Sequence, residues 1–215
     1  MCGRYYRRSD KQRIAEAFRV GVPPSFEILP SMNITPQSFQ PVVRLSRDTR
    51  EREIALLLWG FIPYWAKDAK IGVKTINARS ENVASSAVFR EALRYRRCLI
   101  PADGFYEWQK LDAKKKQPWA FGLRDGSMFA FAGLWERWKD RKTGQPLETY
   151  TILTTDANEV TAPIHERMPV ILTPRDYERW LAPADPARLP IDLLRPHASE
   201  EMTAWKVDSP VDAIV

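Results

Sequence analysis

Cys2 has a chemical opportunity that no internal cysteine shares. Aminopeptidases that trim the initiator methionine act when the following residue is small, and cysteine qualifies. Loss of Met1 would leave an α-amine and a thiol on adjacent carbons. Their ordinary pKa values, about 7.7–8.0 for the amine and about 8.5 for the thiol, leave usable nucleophilic fractions of both at neutral pH. Such a pair condenses with an aldehyde in two steps: the amine forms an imine, then the thiol closes a thiazolidine ring. Dividing one difficult step into two easier ones is ordinary covalent catalysis. The plainer reading, a terminal cysteine without a role, stays open at this level.

Three further stretches could supply chemistry. Residues 98–110 read CLIPADGFYEWQK. On a strand, Phe105 and Glu107 share one face while Tyr106 and Trp108 share the other. A carboxylate set among large aromatics, if buried, has a raised pKa and suits general acid–base work. An edge strand with a solvated Glu107 is the alternative. His165, in PIHERMPVIL, lies between Pro163 and Pro169 on an expected turn before a strand, where a site could form. Residues 59–82 interleave Trp59, Phe61, Tyr64 and Trp65 with Lys67, Lys70, Lys74, Asn77 and Arg79. That mixture fits a surface for single strands of nucleic acid, and equally an aromatic core flanked by solvated charge. Cys98 sits among apolar residues as an inert core thiol. His197 receives no role, and Arg94, Tyr95, Arg96 and Arg97 read as a solvated helix end.

These residues need elements to hold them. Ser9 and Gln12 suggest a capping box, with Ile14, Ala17 and Phe18 at helical spacing and Gly21 as the stop. A second helix is expected over residues 86–95. A third is expected from Thr173, with Pro174 at its first position and Asp176 completing the cap. Strands are expected at 54–59, 97–100, 104–109, 119–123, 128–134, 150–154 and 168–172. Arg124, Asp125 and Gly126 read as a hairpin turn. The sum is an α+β fold, mainly antiparallel.

A chain of 215 residues suits a single domain spanning 1–215. Hydrophobic residues at 44% argue for a folded chain. A net charge of +6 favours polyanionic partners, and eight tryptophans offer stacking surfaces. No apolar run suggests a membrane span, and the N-terminus lacks a secretory pattern, so a cytoplasmic protein is expected. With two cysteines and two histidines in no metal-ligand spacing, neither a zinc site nor a disulfide framework is expected. Glycine-rich phosphate loops are missing, and no cofactor is expected.

MCGRY, WGFIPYW, INARSE, CLIPADGFYEW and HERMPVIL occur here in order. With these five motifs the sequence closely resembles the SOS response-associated peptidase (SRAP) family, the abasic-site processing proteins of bacteria and eukaryotes. The resemblance runs from Cys2 to about Trp180, and roughly the last thirty residues match least. It implies a compact α+β domain with a small β-barrel and peripheral helices. It implies Cys2 as the crosslinking nucleophile and Asn77 as the residue that positions it. Glu107 would assist imine formation and proton transfer at the amine. His165 would help open the deoxyribose ring and assist reversal. Arg4, Arg79 and Arg167 would lie near DNA phosphates, and Trp65 would help splay the strand at the lesion. The implied partner is single-stranded DNA containing abasic sites, with single-strand/double-strand junctions as candidates. A monomer in the cytoplasm, associated with the nucleoid in a bacterium, is expected.

Two other functions fit the same residues. A cysteine peptidase could use Cys2 as nucleophile, His165 as base, and Glu107 or Asn77 as orienter; removal of its own Met1 is the modest form of this. A passive single-strand-binding module would leave Cys2 idle.

Overall fold

The computed structural model describes residues 2–21, 25–183, 185 and 188–209. Met1, whose removal the chemistry of Cys2 requires, lies outside the described residues. In chain order the elements are β1 (Tyr5–Arg7), α1 (Lys11–Phe18), β2 (Ser31–Ile34), β3 (Phe39–Leu45), β4 (Arg52–Trp59) and β5 (Asn77–Arg79). There follow α2 (Arg90–Tyr95), β6 (Arg97–Ala102), β7 (Gly104–Lys110), β8 (Lys116–Leu123), β9 (Phe129–Lys139) and β10 (Pro146–Asp156). The chain ends with β11 (Arg167–Pro169), β12 (Ile171–Leu172), α3 (Pro174–Leu181) and β13 (Met202–Lys206). No helix among the described residues is long and apolar enough to cross a membrane.

The larger sheet closes on itself. β10 pairs with β4, β4 with β3, β3 with β6, β6 with β9, and β9 again with β10. This is a five-stranded barrel, and closure removes the exposed edges an open sheet would present. Strand alternation sorts its side chains. Phe129 and Phe131 of β9 pack in the cluster that contains Cys2, Tyr5 and Phe105, while Ala130, Ala132 and Leu134 pack with Ile14, Phe18 and Trp180 of the helices. The second sheet runs β13-β8-β7-β1-β2. Most pairings are antiparallel; β10 runs parallel to both β4 and β5.

β10 is the strand on which the site depends. Its eleven residues leave the barrel at their C-terminal end. There Ile152 pairs with Asn77 of β5, and Asp156 pairs with Arg167 of β11. A second fixed point is Gly60, with φ +143, where a side chain would meet the Gly72 carbonyl oxygen at 2.7 Å. Only glycine accepts both that backbone and that proximity, so the aromatic loop after β4 can fold against the segment leading to β5.

Several sequence expectations are corrected. Asp10, not Ser9, caps α1, accepting from the Arg13 backbone N–H at 2.9 Å. Arg19 ends that helix in the left-handed region, before Gly21. The second helix begins at Arg90, because the chain from 81 to 89 forms successive turns instead. The third helix starts at Pro174 as expected. Arg124, Asp125 and Gly126 form a turn, but not a hairpin: β8 and β9 belong to different sheets. The sequence reading missed β1, β2, β3, β5 and β13. Pro41 disguises β3; it is tolerated because β3 meets β6 only at Val43, leaving that flank without a demand for its missing N–H.

Within the run Arg94–Arg97, Tyr95 is exposed and Arg94 and Arg96 partly so, but Arg97 is not part of a solvated helix end. Arg97 is buried and donates to the carbonyls of Leu93 and Arg94 at the end of α2, and of Trp180 and Ala182 at the end of α3. One guanidinium thus caps two helix C-termini, where orphan carbonyls and the helix dipoles both favour a cation. Arg97→Ala should cost about 3 kcal/mol, because it strands several buried acceptors at once. Urea unfolding would measure it, and a loss below about 1 kcal/mol would refute the double-cap account.

Candidate active site

Cys2 is placed by what holds β1. Tyr5 pairs with Phe105 on one side and Ile34 on the other. The Arg4 carbonyl accepts from the Tyr106 N–H at 3.0 Å. The Tyr5 ring meets Trp59 and Phe131 edge-on, and its hydroxyl lies 3.0 Å from that of Tyr150. Just beyond β1, the Asp103 carboxylate accepts from the N–H groups of Arg8 and Ser9 at 2.7 and 3.2 Å. At Gly104 any Cβ would lie 2.2 Å from the Tyr6 ring, so glycine alone permits this close pairing. The terminus is therefore gripped from both sides, and Cys2 is fully buried.

Burial dominates the titration of the site. It pushes the Cys2 thiol well above its usual range, and the nearby Glu107 charge adds to the effect. Glu107, on β7, faces the same way as Phe105, as the strand period requires, and is itself buried. Burial raises its carboxyl to about 7, against a smaller opposing effect from the Trp108 backbone N–H. The carboxylate stands 3.9 Å from Nε2 of His165. The Nδ1 atom of His165 lies 3.0 Å from the Arg167 N–H and 3.3 Å from the Arg167 carbonyl oxygen; the shorter contact favours the neutral ring with its proton on Nε2, toward Glu107. Burial lowers the His165 pKa, favouring that neutral form. Near neutral pH the site thus pairs a half-protonated carboxyl with a neutral imidazole.

His165 rides on the loop between β10 and β11. Asn158 organises it: its Oδ1 accepts from the N–H and hydroxyl of Thr161, and its Nδ2 donates to the His197 carbonyl at 2.8 Å. Gln109 ties the loop to β7 by donating to the Pro163 carbonyl at 3.1 Å. Sequence reasoning missed both residues. Gln109 could have been found from the strand period, lying two positions beyond Glu107; Asn158 carried no signal apart from its turn-forming type. His197, given no role from sequence, is buried and supports the loop through its carbonyl, and its Nε2 lies 2.9 Å from a Glu201 carboxylate oxygen.

Asn77 opens β5, half-buried. Its side-chain oxygen and nitrogen are enclosed, with no hydrogen-bond partner among the described residues. Arg4 donates to Asn33 at 2.6 Å and lies over the Trp108 ring. Arg79 is exposed and forms no ion pair among the described residues. Trp65 is the only one of the eight tryptophans in the exposed class. Arg167 is engaged differently: it is buried and bonded to both oxygens of Glu81, to Asp156 at 2.7 Å and to the Thr154 carbonyl at 2.8 Å. That fork pulls the Glu81 carboxyl down to about 2 and clamps the INARSE segment against β10 and β11. Cys98 is a buried core thiol, as expected.

The geometry defines a barrel protein that encloses Cys2 beside a carboxylate and an imidazole. The chain belongs to the SOS response associated peptidase (SRAP) family, whose model matches residues 1–214. It is 44% identical over 216 residues to "Abasic site processing protein YoqW" of Bacillus subtilis (strain 168), covering 99% of this chain and 95% of that one. It is 36% identical to "Abasic site processing protein HMCES" of Gallus gallus, over 78% of this chain and 58% of that protein. A crystal structure of a protein from Bacteroides thetaiotaomicron matches with a TM-score of 0.86 at 29% identity, over 99% of this chain and 97% of that one.

Burial of Glu107 has a pH signature. A carboxyl raised from 4.5 to about 7 on folding binds more protons folded than unfolded between those values. Its stability contribution is therefore intact below 4.5 and lost as pH rises through 7. The gap corresponds to about 3 kcal/mol. Glu107→Gln should gain by that order on wild type between pH 4.5 and pH 8, measured by urea unfolding. A difference that does not change with pH would contradict the burial account.

Proposed function

We propose that this protein recognises abasic sites in single-stranded DNA and joins them covalently to Cys2 once Met1 is removed. The observation that carries the proposal is the enclosure of Cys2 beside the Glu107–His165 pair. The raised thiol pKa favours attack by the amine first over attack by a thiolate, and so favours this chemistry over that of a cysteine peptidase.

An abasic sugar is mostly a closed hemiacetal. His165, with its proton on Nε2, assists opening by proton transfer at the ring oxygen, which frees the C1′ aldehyde. The Cys2 amine adds to that carbon; the carbonyl oxygen takes up protons and departs as water, leaving an imine. Glu107, titrating near 7, accepts and returns the protons of this step. The Cys2 sulfur then adds to the imine carbon and its proton goes to nitrogen, closing the thiazolidine. With the imine consumed, the β-elimination that breaks an abasic strand has no starting point. Asn77, whose enclosed amide would otherwise be left unsatisfied at a cost, positions the terminal residue. Arg4 and Arg79 hold flanking phosphates, Trp65 splays the bases, and Arg167 contributes chiefly by holding the loops that carry Arg79 and His165. The protein acts as a cytoplasmic monomer, and the lesion is shielded during replication.

Intact mass spectrometry after incubation with an abasic oligonucleotide should show loss of Met1 and a gain equal to the oligonucleotide less one water. Cys2→Ala should abolish the adduct; absence of any adduct from wild-type protein lacking Met1 would overturn the proposal. Glu107→Gln should slow adduct formation roughly a hundredfold while leaving noncovalent DNA affinity within a factor of about two. Equal time courses for mutant and wild type would remove Glu107 from the chemistry.

A further inference from the structure

A cavity of about 760 Å³ lies apart from the residues of the candidate active site. Neither Cys2, Asn77, Glu107 nor His165 lines it. Its walls carry Arg47, Arg50, Arg94, Arg96, Arg97 and Arg137. Only Glu91 and Glu136 oppose them. Six positive charges against two leave an excess of four, two thirds of the chain's net +6 in one concavity. A charge so concentrated between low-dielectric walls draws anions strongly.

The six arginines divide by role. Arg94 pairs with Glu91 at 3.1 Å and Arg96 with Glu136 at 2.8 Å, while Arg97 caps the two helices. Arg47 and Arg50, in the turn joining β3 to β4, and Arg137, on β9, are exposed and form no ion pair among the described residues. A guanidinium presents a planar fork that fits phosphate oxygens two at a time. Two tyrosines, Tyr64 and Tyr95, also line the cavity and are each 61% exposed. Their faces suit stacking by bases of either class. Tyr64 is also the chain neighbour of exposed Trp65, which connects the cavity to the loop proposed to meet the damaged strand.

We propose that this cavity is a second nucleic-acid site, taking backbone phosphates on Arg47, Arg50 and Arg137 and unpaired bases on Tyr64 and Tyr95. It would hold the strand away from the lesion, with no sequence preference. The choice of a nucleic acid over other polyanions rests on the function proposed above; the anion site itself rests on the arginines.

The test uses the full chain and an undamaged oligothymidylate, which has no aldehyde to react. Binding is followed by fluorescence anisotropy across a salt series. R47A/R50A/R137A should weaken binding about tenfold at low salt and reduce the slope of log Kd against log salt by about 2, from three lost phosphate contacts. Y64A/Y95A should weaken binding with the slope unchanged. An unchanged slope and affinity in the arginine variant would overturn the proposal. So would a polyglutamate peptide of matched charge that displaces the oligonucleotide at equal concentration, which would point to an acidic protein partner. Crosslinking of an abasic oligonucleotide at saturating protein, run in parallel, separates the two sites. A shallower slope with no crosslinking by either protein would leave the cavity standing and remove the Cys2 chemistry. Normal crosslinking with an unaltered slope would do the reverse.

Discussion

The burial of Cys2 beside a carboxylate is the constraint around which the rest is built. A thiol and a carboxylate are both costly to remove from water, and here they are enclosed together. The protein sustains this only because β1 cannot slide. Its backbone is paired on both edges, its Tyr5 ring is set among three aromatics of the barrel, and Asp103 takes the two amides that follow. The grip is backbone-deep, so the position of Cys2 does not depend on its own side chain finding a partner.

The barrel contributes in a second way. β10 is both a wall of the closed sheet and the rail on which the segments bearing Asn77 and His165 are mounted. β5, carrying Asn77, docks on one side of its outer end and β11 on the other, with Arg167 bridging back to the INARSE segment. β10 thus positions Asn77 and His165, while β1 and β7 of the other sheet position Cys2 and Glu107; Gln109 and Asn158 fix the loop that bears His165. Sites held on strands keep tighter geometry than sites built on loops alone.

Much of this was legible in the sequence. Alternation over 104–109 placed Glu107 and Phe105 on one face but left open whether Glu107 was solvated; the structure buries it. Pro174 marked α3 to the residue. What stayed hidden had physical reasons. β1 is three residues long and bordered by arginines, so its apolar signal is swamped; it is a strand because of its partners. β5 likewise exists only as an addition to β10. The expected hairpin after β8 failed because a turn specifies a reversal of direction, not which sheet the chain then joins. Arg97 looked like surface charge and Arg167 like a phosphate contact, yet each lies buried on fixed acceptors that no local pattern announces. The fold class could be read from short-range pattern, and the candidate residues from the motifs; the supports between them are long-range.

The pairing of Tyr5 with Phe105, and its hydroxyl contact with Tyr150, also set an order in time. Contacts spanning one hundred residues or more form slowly, because the intervening chain must first be brought to order. The first residues to leave the ribosome therefore wait for partners that are made much later. Throughout that interval Cys2 stands in water with the ordinary acidity of a free thiol. Completion of the fold then encloses that thiol, so its reactivity toward solutes differs before and after folding.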